Sequence, residues 1–302
     1  MEKAMRHVVN RLHFCRDVVI DVGKNLAMGI PSVSRLRLSR QRTSTALTNS
    51  DEYLERYAFQ TLRRVLRCRE GVTGSRVAEI GPGDHLATGL SILAAGARTY
   101  TCLDRFPGSY SNELAKRTYR AVRENWPVKF PWLPWPKWLD ESRFPEKYPE
   151  RVKTIALSVE RITVNEPCDL VCSYAVAEHV QDIAAFARVT CDLLALDGMA
   201  IHVVDFTQHS MWPYLDDPYM FLRFPDWLWR LIGSNRGLMN RYRFDEFENV
   251  FTGVGLNVEV SGRVVDKDLA NPQSLCPKFR SMPMESVKTR EATFILRKSR
   301  VA

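Results

Sequence analysis

The stretch RVAEIGPGDH, residues 76–85, decides the fold. Its first five residues form a short β-rich run interrupted only by Glu79, and Gly81-Pro82-Gly83 then turns the chain before an apolar helical stretch from Leu86 to about residue 97. Working outward, TYTCL (99–103) reads as a second strand closed by Asp104, and a helix follows over about 109–124. Further strands fall at 152–157, 169–173 and 199–206, with a helix over 180–194 between the last two. Downstream, 244–254 reads as helix, 256–265 as strand and 291–298 as a final strand. This alternation makes βαβ units, and therefore a doubly wound α/β fold with helices on both faces of a mostly parallel sheet.

The rest of the chain decorates that core. Its 302 residues, 45% hydrophobic and 26% charged, have the composition of a soluble globular protein, which excludes disordered and fibrous classes. No apolar run approaches the roughly 18–20 residues of a membrane span, and the first thirty residues lack a cleavable leader pattern, so a cytoplasmic protein is expected. Seven scattered cysteines without a C-x-x-C pair speak against a disulfide framework or a zinc knuckle, and no metal site is read. The net charge of +8 is concentrated in residues 1–70, where fourteen Lys/Arg face seven Asp/Glu. The remainder is nearly neutral, so a nucleic-acid partner is not expected.

Within residues 1–29, Met5, Val8, Val9, Leu12, Val19 and Val22 recur at helical spacing among Arg6, Arg11, Arg16 and Lys24. They predict a basic amphipathic helix packed on the main domain, with contact to an anionic membrane surface through residues 1–30 as the first alternative and a transit peptide, which Asp17 and Asp21 disfavour, as the second. Residues 31–50 read as a linker, and Ser50 with Asp51 opens a helix to about Arg69. The expected organisation is an extension over 1–49 and a main domain over 50–302. That domain has a core at 74–206, a Trp/Pro-rich insertion at 125–150 and a lid at 207–243.

In a doubly wound sheet, ligands bind outside the carboxyl ends of the strands. There Gly81 and Gly83 let the backbone approach a ligand, and Asp104, twenty-one residues beyond Gly83, stands where a carboxylate accepts from ribose hydroxyls. These features point to a nucleoside cofactor. A dinucleotide requires a third glycine where this chain has Leu86, and Glu79 would set a negative charge beside a pyrophosphate. A carboxylate suits instead a cofactor with a cationic amine and a sulfonium centre.

The run VAEIGPG (77–83) resembles motif I of class I S-adenosylmethionine-dependent methyltransferases. CDLVCSYAVAEHV (168–180) resembles the fourth-strand segment of the subgroup that includes ubiquinone-biosynthesis-type enzymes (methyltransferase type 11). LLALDGMAIHVVD (193–205) is similar to the helix, glycine turn and fifth strand that follow in those enzymes. The resemblance, over 74–206, implies a Rossmann-like, seven-stranded, mostly parallel sheet whose last strand is antiparallel, and S-adenosyl-L-methionine as cofactor. It also implies that Glu79 faces the methionine end, Gly81 and Gly83 line the turn, Asp104 holds the ribose and Arg105 flanks adenine. Val159 and Glu160 would lie by adenine, where Ser158 replaces the usual acid, and Ser173 and Tyr174 would close over the cofactor. His85, just past the glycine turn, is expected to touch the cofactor.

Methyl transfer needs acceptor atom, methyl carbon and sulfur in line, and benefits from a base. His209, four residues beyond Asp205, is the first candidate, and His179 the second, with a structural or cofactor-shell role as its other reading. The fourth-strand segment carries SYAV rather than the D/N-P-P-Y/F run of nucleobase amine methyltransferases, and Cys168 reads as a core thiol. Four tryptophans and four prolines in NWPVKFPWLPWPKW (125–138) suggest a stiff, irregular segment that is either buried against the body or an acceptor or membrane contact surface that includes Trp132. Tyr219, Arg223 and Arg241 in the lid suggest either contacts to a sugar, carboxylate or phosphate or a helical subdomain that closes the site with surface arginines. The expected reaction is O-methylation of a small-molecule, sugar or lipid-linked acceptor. An RNA methyltransferase anchored by the basic N-terminus and a non-catalytic binding protein of the same fold are the alternatives. Oligomeric state is left open.

Overall fold

A computed structural model describes residues 2–33, 51–68, 71–162, 166–209, 211–212, 214–215 and 217–298. Most of the expected linker and the Ser50 cap lie outside these residues. The sheet has seven strands: β1 Arg76–Ile80, β2 Thr99–Asp104, β3 Val152–Ala156, β4 Cys168–Tyr174, β5 Leu194–Asp205, β6 Leu256–Val265 and β7 Thr289–Lys298. Their order is β3-β2-β1-β4-β5-β7-β6. The first five pair in parallel, and β7 runs antiparallel to both β5 and β6. This is the sheet that the family resemblance implies, with its chain reversal placed between β5 and β6.

The order turns at β1, from which β2 and β3 extend one way and β4 and β5 the other. Register keeps the carboxyl ends level there: Ile80 pairs with Leu103 on one side and Ser173 on the other. A crevice outside these ends follows from the crossovers leaving in opposite directions.

Side-chain alternation along each strand divides the core in two. Val77, Tyr100, Cys102, Leu170 and Cys172 pack beneath the helix over residues 51–68 (α2), α3 Ala87–Ala94 and α4 Glu113–Lys129. Ala78, Ile80, Leu103, Val171 and Phe294 pack on the opposite face beneath α5 Ile183–Leu193 and α7 Phe244–Gly253. Glu79 sits among the first set, a carboxylate on an otherwise apolar strand.

The Trp/Pro-rich insertion extends the first core. Helix α4 runs to Lys129 with Pro127 inside it, five residues past its expected end. Trp126, Phe130, Leu139, Phe144 and Tyr148 are buried against the body, and the indole N–H groups of Trp126 and Trp135 donate to the carbonyls of Leu133 (2.6 Å) and Leu139 (2.8 Å). Polar indole edges thus satisfy carbonyls that proline-broken backbone leaves unpaired.

A third cluster joins the lid to the N-terminal helix α1 (Glu2–Met28). Trp212, Tyr219, Phe221, Leu222 and Trp229, with Phe279 and Val287 from the β6–β7 connection, enclose an apolar centre against which Phe14, Val18 and Val22 pack. Along the seam with lid helix α6 (Asp226–Gly233), Arg236 pairs with Asp21 at 2.8 Å, and the Asn25 side chain accepts from the Asn235 N–H at 2.7 Å. Buried Asn25 also donates to Arg230 O and Ser234 Oγ. Helix α1 is therefore an accessory helix seated on the lid, its Val19, Ile20 and Leu26 facing outward. The side chains of residues 2–12, including Met5 to Leu12, lie outside the description. Among the described residues no helix is long and apolar enough to cross a membrane.

Candidate active site

Two adjoining cavities open at the carboxyl ends of the strands, sharing Gly81 and His179. The larger, about 710 Å³, is lined by Asp104, Arg105 and Phe106 after β2 and by Leu157, Ser158 and Val159 after β3. Its far wall comes from Met28 and Gly29 at the end of α1 and from Asn235, Arg236 and Gly237 after α6. The smaller, about 480 Å³, is lined by Glu79, Gly83, His85 and Thr88 on one side and by Arg56, Tyr57, Tyr174, Asp205 and His209 on the other.

The glycine turn between them has steric causes. Gly81 adopts φ +67°, and a Cβ there would stand 2.6 Å from Val176 Cγ2. Gly83 adopts φ +77°, again in the region that side-chained residues avoid. The Gly81 N–H donates to Leu103 O at 2.8 Å, fixing the turn to β2. Gly89 on α3 completes the arrangement, because a Cβ would come within 2.5 Å of the Tyr100 ring. Tyr100 therefore lies close against α3 and donates its hydroxyl to Glu79.

Burial pushes the Glu79 carboxyl up to about 7, against hydrogen bonds from Tyr100 and Thr88 that favour the charged form. A cationic group in the cavity would restore that charge. Asp104, at the tip of β2, is also raised by burial, while the N–H groups of Phe106 (2.7 Å) and Gly83 oppose the shift. A buried acid beside the turn and a second acid one strand away match an amino-acid tail and a ribose diol. The residues present thus fit a nucleoside sulfonium cofactor.

The other expected cofactor contacts divide. Arg105 stacks over Phe106 with its guanidinium 4.9 Å from the ring centre, and Val159 lines the larger cavity. Glu160 shares the short turn Val159–Arg161, but its side chain lies outside the description. His85 is buried on the smaller cavity, where its Nδ1 accepts from the Ala87 N–H at 3.3 Å and burial lowers it to about 4. Tyr174 lines the same cavity, its ring 4.3 Å from that of Tyr57 and its hydroxyl accepting from Arg56. Ser173 is a correction. Its hydroxyl is buried 2.7 Å from His202 Nδ1 and lines neither cavity, so the end of β4 offers the tyrosine alone.

At the outer end of the smaller cavity, two histidines and two acids converge. His209 Nε2 lies 3.4 Å from Glu178 Oε1 and 3.4 Å from Asp205 Oδ2. The rings of His179 and His209 are 5.1 Å apart. Burial disfavours the His209 imidazolium, but the hydrogen bonds and charges of Asp205 and Glu178 outweigh it and hold the group up to about 9. His179 is lowered to about 4, by burial first and then by the charge of His209. His209 also has φ 49°, a strained setting for a side-chained residue, of the kind found where function fixes the backbone.

The expected acceptor contacts of the lid and insertion do not reach this end. Trp132 is exposed against Phe130 and lines neither cavity. Tyr219 is buried in the lid, donating to Asp266 at 2.9 Å and to Lys288 O. Arg223 pairs with Asp217 at 2.6 Å and caps the carbonyls of Ala270 and Asn271. Arg241 donates to the carbonyls of Phe221 and Phe224 and pairs with Asp226. Irregular lid backbone leaves carbonyls without ladder partners, and these guanidinium groups satisfy them. Sequence reasoning in turn missed Arg56, Tyr57 and Glu178, as well as the α1 wall. Tyr57 carries an apolar helix pattern, Glu178 lies inside the quoted AEH run, and Arg56, on the π-type turn Glu55–Phe59, lines the cavity from an exposed position that helical periodicity does not mark.

No protein-family model and no curated protein matches the sequence. Solved structures do. The 1,6-didemethyltoxoflavin-N1-methyltransferase of Burkholderia thailandensis, seen with 1,6-didemethyltoxoflavin and S-adenosylhomocysteine, is 13% identical with a TM-score of 0.48 over 89% of this chain and 91% of its own. An S-adenosylmethionine-dependent methyltransferase of Mesorhizobium loti is 14% identical with a TM-score of 0.45, over 84% of this chain and 100% of its own. A TehB-like enzyme of Corynebacterium glutamicum is 13% identical with a TM-score of 0.42, over 89% and 100%. By its own strand order and reversed β7, the chain has the Rossmann-like sheet implied by its motifs.

Proposed function

We propose that the protein transfers a methyl group from S-adenosyl-L-methionine to an oxygen of a small-molecule, sugar or lipid-linked acceptor. The observation that carries this reading is the pair of acids flanking one glycine turn. Glu79 is buried and faces the smaller cavity, while Asp104 stands at the mouth of the larger. On this reading the adenosine occupies the larger cavity, with Asp104 taking the ribose hydroxyls and Val159 and Phe106 bounding the base. The amino-acid tail lies along Gly81 and Gly83 with its amine toward Glu79. The cofactor when bound supplies an electrophilic methyl carbon, and the chain supplies alignment and a water-poor wall.

The acceptor enters from the outer end of the smaller cavity, between Tyr174 and Asp205. Transfer to a hydroxyl breaks the carbon–sulfur bond, forms a carbon–oxygen bond and releases one proton. The Asp205 carboxylate lines the cavity where that proton leaves, and the His209 imidazolium, ion-paired with Asp205 and Glu178, would set a positive charge beside the acceptor oxygen.

Calorimetry tests the reading directly. One equivalent of S-adenosylmethionine, and more tightly S-adenosylhomocysteine, should bind the full chain. Absence of heat with both ligands would leave a scaffold without this activity.

A further inference from the structure

We propose that Glu178, His179 and His209 form a binding site for one divalent transition-metal ion of the zinc class, at the acceptor end of the crevice. The inference deepens the methyl-transfer reading and rests on it for the ion's role, but the site itself stands on geometry. One ligand atom from each residue lies within 4.8 Å of the other two. His209 Nε2 and Glu178 Oε1 are 3.4 Å apart, and Asp205 Oδ2 is equally distant from the same nitrogen. Two ligand atoms each about 2.1 Å from a tetrahedral ion stand about 3.4 Å apart, so this spacing is already that of a coordination edge. Two imidazoles with carboxylate oxygen form a borderline donor set that suits zinc-class ions rather than calcium or magnesium.

Two further observations point to a ligand. The Glu178 carboxylate is buried, on a residue 2% exposed; among the described residues its Oε1 meets only His209 Nε2 at 3.4 Å, and its Oε2 has no hydrogen-bond partner. A carboxylate in that position costs free energy unless something positive meets it. His179 Nδ1 lies 2.9 Å from Gly237 O, so it donates there and leaves Nε2 as the ring's free acceptor. Metal-binding histidines are oriented by this kind of bond, with the second nitrogen tied to a carbonyl. The turn that carries both residues is also held from outside, because the Asn240 side chain donates to Ala177 O and Val180 O, each at 2.8 Å. The ion would set a positive charge beside the acceptor oxygen. It would favour acceptors in which a second oxygen adjoins the methylated hydroxyl, since two neighbouring oxygens chelate.

The test uses untagged full-length protein, freed of metal by chelator and titrated with Co2+ alone, then with Zn2+ in competition. The expected result is one equivalent of Co2+ with visible absorption from nitrogen and oxygen ligands, displaced by Zn2+. Affinity should fall about tenfold or more in His179→Ala, in His209→Ala and in the isosteric Glu178→Gln, and stay unchanged in Asp104→Ala. No saturable uptake by the native protein would overturn the proposal. So would uptake retained in the His179→Ala/His209→Ala double variant, or thiolate charge-transfer absorption, which would move the ion to a cysteine such as the exposed Cys15. S-adenosylhomocysteine calorimetry on the same sample separates the two ideas. Cofactor heat without Co2+ uptake removes the ion site alone, and Co2+ uptake without cofactor heat supports the ion site and removes the methyl-transfer reading.

Discussion

The two ends of the crevice are assembled by different means. At the nucleoside end the turn and both acids come from one continuous stretch, where strand, glycine turn, helix and strand set Glu79, Gly81, Gly83 and Asp104 within residues 79–104, and the segments after β3, β4 and α6 with the end of α1 complete the cavity wall. The acceptor end draws on Arg56 and Tyr57 from α2, Tyr174 to His179 after β4, and Asp205 to His209 after β5. Local geometry fixes the first end, and tertiary packing fixes the second. A ligand common to many enzymes can be held by a local motif, whereas acceptor choice falls to loops that vary without disturbing the sheet. If this division is real, the two ends should fail separately.

The largest expected effect breaks the nucleoside end. Asp104→Ala removes two charge-assisted hydrogen bonds to the ribose, each contributing about 1.5 kcal/mol, so cofactor affinity should fall about a hundredfold. Turnover at saturating cofactor should change by less than about twofold. Equal affinity in calorimetry would detach Asp104 from the cofactor. The converse substitution, His209→Ala, should lower turnover about tenfold or more with S-adenosylhomocysteine affinity nearly unchanged. Full activity would remove His209 from the chemistry, and a parallel loss of affinity would erase the division between the ends.

The pH dependence of cofactor binding sharpens the comparison at a single residue. Burial raises Glu79 from its ordinary 4.5 to about 7, so the cavity without cofactor holds a neutral acid below that pH. Recognition of an ammonium requires the carboxylate. Affinity should therefore be highest above pH 7 and weaken about tenfold between pH 8 and pH 6. Stability of the unliganded protein runs the other way. Its folded form holds the Glu79 proton more tightly than the unfolded chain, so this group's contribution declines as pH rises from about 4.5 to 7. The cofactor's thermal shift should consequently be larger at pH 8 than at pH 6. A flat affinity across that range would remove Glu79 from recognition of the amine.

The same contrast explains what the sequence revealed. All seven strands were legible because each is a short β-rich run bounded by turn or helix signals, and the glycine turn with Asp104 was legible because its meaning is local. The arginines of the lid misled for a physical reason: Arg223 and Arg241 are needed by irregular backbone whose unpaired carbonyls no periodicity announces. Trp132 misled because its neighbours Trp126, Phe130 and Phe144 enter the core while it stays outside. Arg56 meets Tyr174 and Glu291, and the α1 wall meets residues 234–237, only through folding across more than a hundred residues of chain, and Glu178 meets His209 across thirty-one.

Helix α1 supplies the smallest and most discriminating test, because it is remote in sequence yet borders the nucleoside end through Met28 and Gly29. Its attachment depends on Asn25, which is buried and bonded to the Asn235 N–H, Arg230 O and Ser234 Oγ. Asn25→Ala strands those groups at a cost of about 1–3 kcal/mol, enough to loosen the helix end without unfolding a core it barely enters. Cofactor affinity should weaken about threefold, with faster proteolysis of residues 2–33 and unchanged turnover at saturation. Faster proteolysis with unaltered affinity would show that the α1 wall borders the cavity without contributing to it.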